Sequence, residues 1–468
     1  MHGVDVRAEW AVKKSKKRPS TKPIASSASA APREDDDRGR HVDLAVLALG
    51  TIVMWVVPHR VGGDAEVRYE ALARLFTTGK LSAPRYSVVA PLFAAPLHAL
   101  GRLTGDPRGV TALFNVVLFT IALVLLWREL DGQLPRAPRR AVVLLLLFAS
   151  MFARHVQSFY GEVFTALTVT LGVFWLARGK YIPAWLAIVV GGVNTPASVV
   201  GIGAIAVRTW RRTRDPRHLA APVLVLALAL LENRLMRGSA LDSGYSGDAG
   251  FKTVMPYSGQ TGFSYPFFLG LLAILFSFGK GLVWFTPGLF APLARSAGDR
   301  LRWVHGTLLW FVAGLVLVYA KWWAWYGGFS WGPRYFVFAS IPASLLVALL
   351  LHRPPEALLA KCLLLAVLAL SAWVGTSGAV FGLGALDVCT RDDFALEALC
   401  WYVPEFSVLW NPLVHFPELT ARTAAVVAYC AAVFAYLAAP LARDVAVRLA
   451  QHARAAGSAG AWAREWRL

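Results

Sequence analysis

Long uncharged stretches are the feature of this sequence that most limits how it can fold. The six clearest are residues 109–127, 182–207, 303–320, 335–351, 362–386 and 423–442. An α-helix needs about 20 apolar residues to cross the hydrocarbon core of a bilayer. Hydrophobic residues make up 57% of the 468 and charged residues only 16%. The chain is therefore predicted to be an all-α integral membrane protein, and an ordinary soluble enzyme is excluded.

Twelve transmembrane helices are predicted from these stretches and their neighbours. They cover residues 43–58, 108–127, 140–155, 161–177, 182–193, 196–208, 219–236, 281–295, 303–320, 335–351, 362–383 and 422–441. Two further apolar stretches, 87–101 and 263–278, are assigned to the membrane surface, because the first holds two prolines and the second ends in a Gly-Lys-Gly sequence. The junction at 191–196 is interpreted as a plain loop between two short helices.

The distribution of positive charge sets the predicted orientation. Lys and Arg outnumber Asp and Glu by 47 to 28. With both chain ends in the cytoplasm, nearly all of this excess falls on cytoplasmic segments, as the positive-inside rule requires. If either surface stretch were a span, a cluster of arginines would move to the external side of the membrane, against this rule. The basic character is thus explained by topology, and no nucleic-acid partner is expected.

Three regions follow from this topology. Residues 1–42 are polar and carry clusters of both charges, so they are expected to form a disordered cytoplasmic tail. Residues 43–441 form the transmembrane domain, which includes an external loop at 383–421. Residues 442–468 form a cytoplasmic C-terminal tail. No apolar secretion signal precedes residue 43, which agrees with a cytoplasmic N-terminus.

The cysteines divide between the spans and the external loop. Cys389 and Cys400 share that loop, where an oxidising compartment would permit a disulfide, and two free thiols are the alternative. Cys362 and Cys430 lie within spans and are interpreted as packing residues.

Common catalytic motifs are missing from the sequence. It has no Walker A, HExxH or CxxC pattern and no metal-ligand cluster, so nucleotide hydrolysis and the common metal chemistries are not indicated. No bound metal or cofactor is expected. Ionisable groups beside membrane spans are costly unless they are used, and here they gather on the predicted external side in three clusters.

The first cluster follows the first span. It begins with the sequence GGDAEVRYEALARLF and extends to the pair Arg85-Tyr86. Asp64 occupies an N-cap position of a surface helix, which is one interpretation of it. A carboxylate where a helix emerges from the membrane can also act as a general base. Arg85 and Tyr86 fit a contact with an anionic headgroup, or a simple interfacial anchor.

The second and third clusters each place a charge at the start of a span. Glu162 begins the fourth span, where it either complements the helix dipole or takes part in a site. The third cluster, KWWAWYGGFSWGPRY, runs from Lys321 to Tyr335. An aromatic belt explains its tryptophans but neither its glycines nor Arg334, whose guanidinium can hold a phosphate with two donors at once.

These clusters, in this order, resemble the membrane-embedded glycosyltransferases of the GT-C superfamily. That group includes the protein O-mannosyltransferases and the lipid A aminoarabinose transferases, and the likeness is closest to bacterial homologues of unassigned substrate. It rests on the first-loop acid and on RYSVVAPLFAAPLHALG, YGEVF, RGSALDSGY, FGKGLVWFTP and WWAWYGGFSWGPRY, and it covers about residues 60–340. The family's first-loop acid is often an adjacent Asp-Glu pair. Here Ala65 separates Asp64 from Glu66, so either carboxylate is a candidate base.

The resemblance implies an inverting transfer of a sugar from a polyprenyl phosphate to an acceptor hydroxyl outside the membrane. Asp64 or Glu66 would be the base, and Arg334 with Lys280 or Arg85 would hold the lipid phosphate. The other residues expected to bind donor or acceptor are Tyr69, Tyr86, Glu162, Lys321 and Trp331. The lipid-linked sugar is the expected co-substrate, and the acceptor is a glycan, a lipid or a protein. The expected location is the inner membrane of a bacterium, with the active site facing outward.

Two other classes are compatible with many spans. A transporter or lipid-linked-sugar flippase is expected to place ionisable groups at mid-membrane, whereas the predicted spans are nearly free of them. A non-catalytic subunit of a cell-envelope assembly would keep the fold without the reaction, and only activity separates it from an enzyme.

Overall fold

The computed structural model describes residues 33–81, 85–250, 252–291 and 297–456, and within them it contains helices but no named strand. The α-helices, in chain order, are α1 (Arg33–Val56), α2 (Asp64–Thr78), α3 (Val89–Phe93), α4 (Ala95–Thr104), α5 (Pro107–Ala112), α6 (Phe114–Leu130), α7 (Arg136–Phe148), α8 (Phe152–His155), α9 (Gly161–Ala177), α10 (Tyr181–Asn194), α11 (Val199–Thr213), α12 (Ala220–Arg237), α13 (Phe267–Phe276), α14 (Leu282–Phe285), α15 (Asp299–Tyr319), α16 (Ser340–His352), α17 (Leu358–Val380), α18 (Asp387–Thr390), α19 (Glu397–Tyr402), α20 (Asn411–Val414) and α21 (Ala421–Ala456). Short 3₁₀ helices cover Pro196–Ser198, Pro216–Leu219, Pro287–Phe290, Arg334–Ala339, Gly384–Leu386, Asp392–Phe394 and Pro404–Phe406.

Among the described residues, six helical stretches are long and apolar enough to cross a membrane. They are Pro107–Leu130, Pro216–Arg237, Asp299–Tyr319, Arg334–His352, Leu358–Val380 and Ala421–Arg454. Shorter apolar helices cover Asp43–Val56, Gly161–Ala177, Tyr181–Asn194 and Phe267–Phe276. Every predicted span but one overlaps one of these helices, or α7 or α11. The prediction of an all-α protein is therefore confirmed.

The exception is the predicted span at 281–295. The structure has only α14 and the 3₁₀ turn Pro287–Phe290 there, and residues 292–295 lie outside the described part of the chain. Proline lacks an N–H group and disfavours helical geometry at the preceding residue, and Thr286 is accordingly non-helical at φ −141° and ψ 57°. The neighbouring stretch 263–278 instead supplies α13, which at 10 residues is too short to cross a bilayer unaided.

Helices extend into both predicted tails in the described residues. Helix α1 begins at Arg33, inside the tail predicted for residues 1–42, and residues 1–32 lie outside the description. Helix α21 continues past the predicted boundary at residue 441 as far as Ala456, with Pro440 inside it. Residues 457–468 are not among those described.

Small residues allow the long helices to approach closely. A Cβ on Gly314 of α15 would lie 2.5 Å from the Cα atom of Gly201 in α11. A Cβ on Gly375 of α17 would overlap the carbonyl oxygen of Phe148 at the end of α7. Such contacts are typical of membrane helices, where small residues let the backbones meet.

The connection between α17 and α21 braces other loops. Cys389 and Cys400 are joined by a disulfide in the structure. Between them, Glu397 accepts a hydrogen bond of 2.8 Å from the hydroxyl of Thr253, in the connection between α12 and α13. The N–H of Gly279 donates to the carbonyl oxygen of Trp401 at 3.0 Å. This connection therefore holds two other segments that approach the candidate site.

Candidate active site

Asp64 stands at the start of α2, but it does not cap the helix. The N-cap is Gly63, whose φ of 59° is favourable for glycine, and Asp64 is the first helical residue. The interpretation of Asp64 as an N-cap is therefore wrong. Its side chain is directed to a different partner.

That partner is Arg334, which lies between two carboxylates. Nη2 of Arg334 contacts Oδ2 of Asp64, and Nε lies 3.8 Å from Oε1 of Glu162. The side chains of Arg334 and Glu162 are each 9% exposed, whereas that of Asp64 is 32% exposed. The fold thus brings together three residues from α2, α9 and the start of the Arg334–His352 helix, and Asp64 stays accessible to a ligand.

Aromatic rings enclose the Arg334 guanidinium. Its Cζ lies 5.3 Å from the ring centroids of both Tyr160 and Tyr335, within the range of cation–π attraction. Within the described residues, Nε of Arg334 and Oε2 of Glu162 make no hydrogen bond. Buried polar atoms normally have a partner, so these two are suited to contact a ligand.

Asp64 is held in its charged form by its neighbours. Burial alone would raise its pKa, but the positive charge of Arg334, a hydrogen bond from the Tyr86 hydroxyl and the charge of Arg68 together bring the pKa below its ordinary value. The carboxylate is thus ionised at neutral pH and can accept a proton.

Glu66 lies in a separate cluster. Nη1 of Arg108 donates to Oε1 of Glu66 at 2.7 Å, and Nη2 contacts Oε2, which makes a two-point pair. The Arg108 guanidinium also lies 5.8 Å from the ring of Tyr69, so Tyr69 belongs to this cluster as well. Of the two candidate bases, Asp64 is the one that contacts Arg334 in the described part of the chain.

Arg85 and Tyr86 approach the site from the segment before α3. Tyr86 is close enough to Asp64 to lower the pKa of that carboxyl, and its ring lies 4.7 Å from the guanidinium carbon of Arg68. Arg85 is paired with Asp248 at 3.3 Å and is 43% exposed. A ligand phosphate would therefore have to compete with Asp248 for Arg85.

Lys280 is placed differently from the prediction. Its Nζ donates to the carbonyl oxygens of Gly328, Ser330 and Gly332 at 3.0, 2.6 and 2.9 Å, and the residue is 1% exposed. All three N–H bonds of the ammonium are therefore used by the loop before Arg334. Gly328 and Gly332 have φ values of 73° and 60°, which glycine adopts without strain. Lys280 thus shapes the loop, and the predicted contact with a donor phosphate would require it to give up one of these hydrogen bonds.

Trp331 and Lys321 also lie away from the Asp64–Arg334 contact. Trp331 is 1% exposed and packs edge-on against Phe285, with ring centroids 5.2 Å apart. Lys321 is exposed after α15, and its carbonyl oxygen accepts a hydrogen bond from the N–H of Tyr265 at 3.1 Å. The structure therefore gives Trp331 a packing role and leaves Lys321 at the surface.

Several residues at the site were not predicted. Arg68 is 7% exposed and lies one helical turn after Asp64, so the i, i+4 spacing on α2 was an available signal. Tyr245 lies in the segment RGSALDSGY and packs edge-on against Tyr86, with centroids 6.2 Å apart. Glu232 and Asn194 hold the segment around Tyr86. The available signal for Glu232 was a carboxylate inside the predicted span 219–236, whereas Asn194 acts through tertiary contacts that no local pattern contains.

No group of three or more His, Cys, Asp or Glu side chains suited to a metal occurs among the residues that the structure describes. The carboxylates of Asp64 and Glu162 both contact the guanidinium of Arg334.

Comparison with known proteins gives a fold but no close relative. No protein-family model and no curated protein matches the sequence. The solved structure of ArnT from Cupriavidus metallidurans in the apo state matches with a TM-score of 0.50 and 16% identity, over 90% of this chain and 80% of that chain. The structure of the same protein bound to undecaprenyl phosphate matches over the same shares with 16% identity and a TM-score of 0.47. The chain therefore has the all-α membrane fold of ArnT, as the GT-C resemblance led us to expect.

Proposed function

We propose that this protein is a membrane glycosyltransferase that moves a sugar from a polyprenyl-phosphate donor to an acceptor hydroxyl, with Asp64 as the general base. The observation that carries the proposal is the buried contact of Asp64 and Glu162 with Arg334, beside the ends of membrane helices. The ArnT fold supports it as an analogy of architecture only.

The base is needed because a hydroxyl is a poor nucleophile until its proton is removed. Asp64 is ionised and partly exposed, so it can take that proton. The acceptor oxygen then forms a bond to the anomeric carbon of the sugar while the bond from that carbon to the phosphate oxygen breaks. The proton ends on Asp64, the phosphate leaves as an anion on the lipid, and the configuration of the sugar is inverted.

Arg334 is the proposed partner of the leaving phosphate. A guanidinium binds phosphate through two parallel hydrogen bonds, and such charge-assisted bonds are about twice as strong as neutral ones. In the structure the same guanidinium contacts Asp64. A donor phosphate would compete for it, and as Arg334 turned to the phosphate its lowering effect on the pKa of Asp64 would weaken. Donor binding would thus make Asp64 a stronger base at the moment when one is needed.

Glu162 is the proposed orienting residue. Its Oε2 has no hydrogen bond within the described residues and can accept one from a hydroxyl of the donor sugar or of the acceptor. We place the site on the external face of a bacterial inner membrane, because that orientation follows from the charge distribution. The co-substrate is the lipid-linked sugar, and the acceptor is a glycan, a lipid or a protein.

The direct test uses the purified protein in nanodiscs with a panel of radiolabelled polyprenyl-phosphate sugars and acceptors. The wild type should transfer label, and Asp64→Asn should lose roughly 10²–10⁴-fold in rate, because asparagine accepts no proton. Glu66→Gln is the matched variant, since it removes a carboxylate two residues away on the same helix, and a much smaller loss is expected. If Asp64→Asn transfers sugar as fast as the wild type, the assigned base is wrong.

A further inference from the structure

The segment that carries Tyr86 is fixed by a carboxylate from a membrane helix. The Ser87 hydroxyl donates to Oε1 of Glu232 at 2.9 Å, and the N–H of Val88 donates to the same oxygen at 2.7 Å. Glu232 belongs to α12, within the stretch Pro216–Arg237 that is apolar enough to span a membrane. A carboxylate in such a helix is costly, and its presence there points to a function.

The two hydrogen bonds act directly beside the candidate base. Tyr86 precedes Ser87, and it is close enough to Asp64 to lower the pKa of that carboxyl. The carbonyl oxygen of Ser87 accepts a hydrogen bond of 3.2 Å from Nη1 of Arg68, whose guanidinium faces the Tyr86 ring. The position of the main chain at Ser87 therefore decides where the Tyr86 hydroxyl lies.

A second anchor shows that Glu232 is not needed to hold the whole segment. Oδ1 of Asn194 accepts a hydrogen bond from the N–H of Ala90 at 3.2 Å, and Nδ2 of Asn194 donates to the carbonyl oxygen of Gly161 at 2.8 Å. Asn194 thus ties α3 to the start of α9 independently of Glu232. Loss of Glu232 would release the chain at Ser87 and Val88 while α3 stays attached.

We propose that Glu232 is a positioning residue that holds Tyr86 beside Arg68 and the Asp64 carboxylate. The inference rests on the proposed function in one respect, which is that Asp64 is the base. A tyrosine hydroxyl held there can donate a hydrogen bond to the carboxylate and so orient it toward the acceptor. Small displacements of a reacting group cost about 10²-fold in rate. Glu232→Ala should accordingly slow transfer by roughly 10- to 100-fold with little change in the KM for the donor.

The test does not require the natural substrates. Fluorotyrosine is incorporated at position 86 of the full-length protein in nanodiscs, and its fluorine NMR resonance is recorded at neutral pH. Asp64→Asn should shift this resonance, because it removes the negative charge beside the Tyr86 ring. Glu232→Ala should also shift it, and in that background Asp64→Asn should have no further effect. Glu232→Gln should resemble the wild type, since the amide oxygen still accepts from Ser87 and Val88.

Two more variants make the result decisive. Glu129→Ala removes another buried carboxylate from a membrane helix, one that pairs with Arg178 at 2.7 Å, and it should leave the resonance in place. Ser87→Ala removes one of the two hydrogen bonds, and it should give a partial shift even if Glu232→Ala does not fold. The inference is overturned if Asp64→Asn shifts the resonance equally with and without Glu232, or if Ser87→Ala has no effect. Neither result depends on sugar transfer, so failure of the proposed function would be seen separately.

Discussion

Arg334 contacts two carboxylates and, in the proposed reaction, also binds a phosphate. Its burial between the rings of Tyr160 and Tyr335 keeps water from screening these interactions, which strengthens each of them. The guanidinium suits this position because it is planar and stays charged when buried. A lysine ammonium would bring the same charge, but its three donors radiate from one nitrogen and cannot form the two parallel hydrogen bonds of the guanidinium.

Arg334→Lys should therefore weaken donor binding more than its unchanged charge suggests. Loss of one charge-assisted hydrogen bond, about 1.5–3 kcal/mol, corresponds to roughly 10- to 100-fold in Kd. The measurement is the affinity of the protein in nanodiscs for a polyprenyl phosphate. Arg108→Lys is the matched control, because Arg108 also makes a two-point pair but with Glu66, and it should leave the affinity unchanged. Equal affinities for Arg334→Lys and the wild type would remove Arg334 from the donor site.

At the level of elements, the loop before Arg334 depends on contacts with Lys280 and Trp401. The Lys280 ammonium donates to carbonyl oxygens of this loop, and the ring of Trp401 lies 4.8 Å from that ammonium. Trp401 also stacks on Tyr326, with centroids 4.9 Å apart. Because Trp401 directly follows Cys400, the disulfide lies next to the residue that covers Lys280.

Opening the Cys389–Cys400 disulfide should lower stability without unfolding the membrane helices. A ring of this size is worth roughly 2–3 kcal/mol in the chain-entropy estimate. Cys389→Ser should reduce the thermal stability of the purified protein by a comparable amount. Mass mapping of the wild type under non-reducing conditions should find the linked peptide, whereas two freely alkylated thiols would show that the bridge is absent.

The sequence predicts an element well where the element depends on a run of apolar residues, and poorly where it depends on contacts between residues far apart in the chain. Most spans were predicted because lipid exposure requires long apolar runs, which are visible in one dimension. The span at 281–295 was predicted wrongly, since a hydropathy pattern does not register how Pro287 ends a helix. At the site, the sequence and the resemblance pointed to Asp64, Glu162 and Arg334, and the structure brings these three together. The roles of Lys280 and Glu232 depend on partners about 50 and 145 residues away in the chain, which no local pattern contains.

For the whole molecule, orientation in the membrane decides whether the lipid donor can reach the site. Reporter fusions after residues 130, 212, 298 and 356 should read cytoplasmic, and fusions after residues 75, 250, 328 and 395 should read external, because nearly all excess positive charge then lies inside. If the fusion after residue 328 reads cytoplasmic, Arg334 faces the wrong leaflet for an externally presented donor, and the proposed location fails.

In the proposed reaction, the contact between Asp64 and Arg334 also bears on how the spent carrier leaves. A lipid phosphate without its sugar would remain on the guanidinium after transfer and block the next cycle. Once Asp64 loses its proton to water, it becomes an anion beside the same guanidinium and competes with the phosphate for it. In the proposed reaction, one carboxylate thus starts the turnover as a proton acceptor and finishes it by displacing the product, which returns the carrier to the membrane pool.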